Sequence, residues 1–258
     1  MGSRGAAESI RRHQRRRYDE LWRAGRARAL SPDLIRQRVW KPHLVEPVLD
    51  VGAGDGLLAR CFPTLAVISL DQSTTGLAHA PAPKLVGELE HLPIRSASMA
   101  TIVAAEVLEH VGDPLKALTE CRRIIRPSGV LLISVPMLPL SFSEELFHRW
   151  RTGVRPSAEN LPTWDPEHER RYERVRLLEQ LRQTGWDPVQ EVPLFGSVTG
   201  GLFYFVEPLL YRVRRRSVRV AQFGVTFDRL ISRWDRPSDL VVICRPGATA
   251  TTTALPLD

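Results

Sequence analysis

Apolar residues follow two different rhythms along the chain. Up to residue 45 they recur at helical spacing: Ile10, Tyr18, Leu21 and Trp22, then Leu30, Leu34, Ile35 and Val39. This predicts one or two amphipathic helices, with Ser31-Pro32-Asp33 as a helix cap followed by an early proline. From Glu46 the rhythm shortens. "PVLDV", "LAVISL", "KLVGEL", "MATIVAAEV" and "VLLISVP" are short apolar runs rich in β-branched residues, and each predicts a strand. Between them "GLLARCF", "STTGLAHA" and "DPLKALTECRRII" predict helices or turns, and "RPSG" predicts a turn. Apolar strands alternating with helices predict an α/β fold whose parallel sheet is covered on both faces.

After Pro136 the pattern loosens. Residues 137–167 are rich in Pro, Trp and charge, and predict a lid or substrate loop. "RRYERVRLLEQLRQTGW" is an amphipathic helix that stops at Gly185, and "DPVQEVPLFG" a sixth strand. Residues from about 197 to 235 predict one or two further amphipathic helices, and "DLVVICRP" a late strand. The expected organisation is a helical cap over 1–45, a core over 46–136, a lid over 137–167, the rest of the core with a helical insert over 168–246, and a disordered tail over 247–258.

Composition narrows the class. With 43% hydrophobic and 25% charged residues, the 258-residue chain has the balance of a globular protein. The net charge of +7 comes mostly from arginine; it permits anionic partners without choosing one. Three scattered cysteines form no metal-spaced cluster and read as reduced, mostly buried thiols of a cytoplasmic protein. The arginine-rich start has no apolar stretch behind it, so no signal peptide is expected. "GLFYFVEPLLY" is too short to span a bilayer. With the arginines after it, it can form a basic amphipathic helix at the surface of an anionic membrane.

The candidate chemistry lies in "VLDVGAGDG", where a strand runs into Gly52, Gly54 and Gly56. Such a turn lets a ligand approach the backbone. A phosphate loop needs a lysine and a hydroxyl after its glycines, and Leu57 and Leu58 stand there. The dinucleotide fingerprint places its third glycine one residue later than Gly56, which weighs against NAD. S-adenosylmethionine needs close backbone approach and acceptors for an ammonium and a ribose. Asp50 ends the first strand, and Asp71 ends the second about twenty residues on, where an acid takes ribose hydroxyls.

"VLDVGAGDG", "VISLDQS", "GELEHLP" and "VAAEVLEHVGDPLKALTECRRIIRPSGVLLISVP" resemble the successive motifs of class I S-adenosylmethionine-dependent methyltransferases, in particular the ubiquinone/menaquinone-methyltransferase-like small-molecule enzymes. The resemblance runs in register over residues 46–136 and more loosely over 168–194 and 239–245. It implies a Rossmann-like, doubly wound, mostly parallel sheet with one antiparallel late strand. It also implies roles. Asp50, Gly52, Gly54 and Gly56 surround the methionine part; Asp71 binds ribose, flanked by Gln72; Glu88 and Leu89 bracket the adenine; Glu106 stands at the cofactor edge. Glu88 replaces the family's usual Asp, and Met99-Ala100 its usual Phe-Asp.

Methyl transfer from a sulfonium is an in-line displacement, in which the protein positions the reactants and excludes water. S-adenosyl-L-homocysteine is the second product. Where a base is needed, His110 and His168 are the candidates. The expected acceptor is a small molecule, apolar or aromatic, under a cap carrying Trp150, Trp164, Phe195, Phe203, Tyr204, Phe205, Tyr211 and Phe223. Two alternatives stand beside this reading: a nucleic-acid or protein methyltransferase, or a non-catalytic module of the same fold. "AAEVLEH" occupies the place of the tetrad used for base N-methylation, which disfavours nucleic acid.

Overall fold

A computed structural model describes residues 19–20, 31–153, 171–196, 198–199 and 236–247. Residues 1–18 and 21–30 of the expected N-terminal cap, the expected helical insert at 197–235 apart from 198–199, His168, residues 154–167 of the expected lid and the tail from residue 248 lie outside the described residues.

The strands are β1 (Val48–Val51), β2 (Val67–Asp71), β3 (Lys84–Val86), β4 (Met99–Ala105), β5 (Ile125–Leu138), β6 (Tyr172–Glu173), β7 (Trp186–Leu194) and β8 (Asp239–Pro246). The helices are α1 (Ser31–Trp40), α2 (Leu57–Cys61), α3 (Thr74–Leu77), α4 (Pro114–Ile124), α5 (Phe142–Thr152) and α6 (Arg174–Gln183). The sheet order is β3-β2-β1-β4-β5-β8-β7, with β6 paired to the end of β5. β1 to β5 run parallel; β8 is antiparallel to both β5 and β7. This is the doubly wound sheet with one antiparallel late strand that the resemblance implies.

Side chains alternate across the sheet, so each strand feeds two cores. Leu49, Val51, Ile102, Leu131, Ile133 and Val242 face α4 and α6, where Leu118, Cys121, Leu177 and Leu181 meet them. Val48, Val103, Leu132, Val241 and Ile243 face the other way, against Ile35 and Trp40 of α1 and Leu58 of α2. Asp50 stands between Leu49 and Val51, so the period of two directs it to the α1–α2 face. The helix starts follow local chemistry. Asp113 caps α4 by accepting from Lys116 N at 3.0 Å, with Pro114 in the first turn.

Three expectations need correction. The 137–167 segment is not simply a loop: Phe142–Thr152 is a helix started by a capping box, in which Ser141 and Glu144 serve each other's backbone N–H groups. "RPSG" is not a turn ahead of the fifth strand. β5 already begins at Ile125, which pairs with Met99 of β4, and the next pair is Thr101 with Val130, so residues 126–129 bulge out of a continuing strand. The third strand stops at Val86 rather than running through "GEL"; Glu88 instead bridges to His91. Cys61, Cys121 and Cys244 are free thiols, the last two buried. Among the described residues no helix is long and apolar enough to cross a membrane.

Candidate active site

The order β3-β2-β1-β4-β5 reverses direction between β1 and β4. Open α/β sheets hold their ligands at that switch point, beyond the carboxyl ends of the strands. The glycine turn lies there. Gly52, Gly54 and Gly56 have φ of 68°, 54° and 73°, all in the left-handed region. At Gly52 an added Cβ would come within 2.6 Å of Val107 Cγ2, and at Gly56 within 2.8 Å of Ala80 Cβ. Two neighbouring segments therefore lie directly on this backbone.

Asp71 holds the turn to the end of β2. Its Oδ2 accepts from Gly54 N at 2.8 Å and its Oδ1 from Ser73 N at 2.7 Å. Each carboxylate oxygen has a second lone pair, so capacity for a ligand hydroxyl remains. The Ser73 hydroxyl caps α3 and donates to Asp19 of the N-terminal segment. Asp71 is held above the ordinary carboxylate range, first by burial and also by Asp19, against the pull of its backbone donors. Asp50 is only 5% exposed. Burial, then Asp71 and Asp55, push its acid up to about 8. The charges acting on it share its own sign, so a cation placed beside it would lower that value.

A second acidic cluster lies on the other side of the switch point. Glu106 follows β4 with φ of 49°, unusual for a non-glycine residue. Its Oε1 accepts from the Ser134 hydroxyl at 2.8 Å. Its Oε2 lies 3.4 Å from Nη2 of the buried Arg36 of α1. The same nitrogen donates to Oδ2 of Asp239, the first residue of β8. Phe195, also at a positive φ of 57°, lays its ring 5.4 Å from the guanidinium carbon. Two strained residues thus converge on one arginine.

Of the expected site residues, Asp50, the three glycines, Asp71 and Gln72 come together at the ends of β1 and β2, and Gln72 is half-buried. Glu88 is half-buried just past β3, and Leu89 is buried in the core. Glu106 belongs to the second cluster. His110 ends a short 3-10 turn (Leu108–His110) with Nε2 3.7 Å from Oε1 of the buried Glu109. Of the expected aromatic lining, Phe195 is buried against Arg36, whereas Trp150 is 75% exposed beside Phe147 and is not shown lining a site. The other named aromatics lie outside the described residues. Arg36, Ser134 and Asp239 were not among the residues expected from sequence. Asp239 carried a usable signal, because it is an acid that opens an apolar strand, as Asp71 closes one. Arg36 was hidden among the many arginines of the N-terminal segment.

The donor set suits a sulfonium amino acid joined to a nucleoside: a buried acid for an ammonium, close backbone approach, and a strand-end carboxylate for a diol. Comparison with known proteins agrees. Residues 49–133 match the family described as a methyltransferase domain. This part of the chain is similar to the methyltransferase domain of S-adenosylmethionine-dependent enzymes.

The chain is 34% identical over 111 residues to a protein named as a probable S-adenosylmethionine-dependent methyltransferase of Mycolicibacterium smegmatis, covering 40% of this chain and 43% of that one. A ubiquinone biosynthesis O-methyltransferase of Dinoroseobacter shibae is 30% identical over 163 residues, covering 56% and 61%. The chain thus matches about half the length of these curated relatives. Among solved structures, a SAM-dependent methyltransferase from Archaeoglobus fulgidus has a TM-score of 0.56 at 16% identity, covering 83% of this chain and 93% of that one. That likeness concerns the fold.

Proposed function

We propose that the chain is an S-adenosylmethionine-dependent methyltransferase whose acceptor is a small molecule, apolar or aromatic. The observation that carries the reading is the glycine turn held by Asp71 at the switch point, beside an acid raised by burial and like charges. Asp50 would receive the ligand's ammonium, the glycine backbone its methionine part, Asp71 with Gln72 its ribose hydroxyls, and Glu88 and Leu89 its adenine. The bound cofactor would supply a methyl group activated by a sulfonium, open to in-line displacement. Residues 1–45, 137–167 and 197–235 would cover the acceptor and exclude water. The relative named for ubiquinone biosynthesis supports a small-molecule acceptor. His110 and His168 are the proposed bases of this reading, and a cytoplasmic location goes with it.

Isothermal calorimetry tests the reading. S-adenosylmethionine and S-adenosylhomocysteine are expected to bind, and Asp71→Ala to weaken both about 100-fold, since a hydrogen bond to a charged group contributes roughly 1.5–3 kcal/mol. No binding of either ligand by the folded chain would refute it. Labelled S-adenosylmethionine with a fractionated extract would then find the acceptor.

A further inference from the structure

Four acids stand across the carboxyl edge of the sheet. Asp71 ends β2, Asp50 lies in β1, Glu106 follows β4, and Asp239 begins the antiparallel β8. The first two serve the cofactor in the reading above. The other two lie beyond the switch point, towards β5 and β8, and share Arg36. Strands are about 4.8 Å apart, so Glu106 borders the crevice and Asp239 lies about two strands further, roughly 10 Å across the edge.

We propose that Glu106 and Asp239, held together by Arg36, are the proton acceptor of methyl transfer, in place of His110 and His168. The proposal rests on the methyltransferase reading. The pair receives the proton of the acceptor's X–H group as the X–C bond forms and the electron pair of the broken C–S bond goes to sulfur. The site loses the positive charge of the sulfonium and the negative charge of the pair together, so its net charge does not change. The proton later leaves to water.

The surroundings suit this exchange near neutrality. The charged groups that face Asp239 among the described residues are Arg36 from α1, Glu106 after β4 and Glu144 from α5, itself bonded to Arg171 at 3.2 Å. Burial first, then Glu106, push the Asp239 acid up to about 7 against the pull of Arg36. A sulfonium bound in the crevice would favour the ionised pair, and a neutral thioether would favour the protonated one.

The test needs no knowledge of the acceptor. Calorimetry of the full chain near pH 7, in buffers of different ionisation enthalpy, counts the protons exchanged on binding each ligand. S-adenosylmethionine is expected to leave the protein with fewer bound protons than S-adenosylhomocysteine, by up to about one proton. Asp239→Asn and Glu106→Gln should each shrink that difference, with thermal melts verifying that the variants fold. If Asp239→Asn does not fold, Glu106→Gln carries the test alone. Equal proton counts in the wild type, or a difference undiminished in the folded variants, overturn the proposal. No binding of either ligand overturns the underlying reading and this one with it.

Discussion

Asp50→Asn should make the ligand-free protein more stable, and increasingly so as pH rises. Asp50 lies buried in β1 with Asp71 and Asp55 as like-charged neighbours, which moves its acid from 3.8 to about 8. Between those values the folded chain holds a proton that the unfolded chain has lost. Stability therefore falls as pH rises: the contribution is fully present below about pH 4 and gone by about pH 8, with a slope of at most 1.36 kcal/mol per pH unit. The full gap corresponds to about 6 kcal/mol. An effective interior dielectric of about 20 reduces it, leaving roughly 2–4 kcal/mol. An asparagine amide does not titrate, so the variant lacks this slope. Urea unfolding at pH 5, 7 and 9 measures the difference. The other raised acids, Asp71 and Asp239, are present in both proteins and largely cancel. Saturating S-adenosylmethionine should reverse the sign, because its ammonium favours the carboxylate. Parallel pH curves for the two unliganded proteins would refute the reasoning.

Gly52→Ala should cost about 2–4 kcal/mol in chemical denaturation, combining the left-handed backbone penalty with overpacking against Val107. Adding Val107→Ala should remove the packing share alone, and a total cost below about 1 kcal/mol would count against the geometry. Under native conditions a thiol alkylator should label Cys61 first, whereas Cys121, buried with its thiol pushed up to about 12, and Cys244 should react only on unfolding. Mass spectrometry showing equal labelling of all three would contradict their burial.

Much of the cofactor half was legible in the sequence because its determinants are local. The end of an apolar strand and its glycines with positive φ lie within a few residues of one another, and the acid at the next strand end follows about twenty residues on. α5 was legible too, in the capping-box spacing of Ser141 and Glu144, but the prolines and tryptophans around it favoured a loop reading. The bulge at 126–129 was not legible. The same Pro and Gly suit a turn or a bulge, and pairing with β4 decides between them.

By itself, the sequence determined the alternation of strands and helices, the two apolar faces of each strand, the helix caps and the glycine turn. All of these follow from the periodicity and stereochemistry of adjacent residues. Only the tertiary structure decided the second cluster. Arg36 and Asp239 are 203 positions apart and meet because β8 enters antiparallel beside β5 while α1 packs across the same face. Hydrophobic period says which way a side chain points, but not which strand becomes its neighbour. That depends on sheet order, and sheet order is set by the packing of the whole domain.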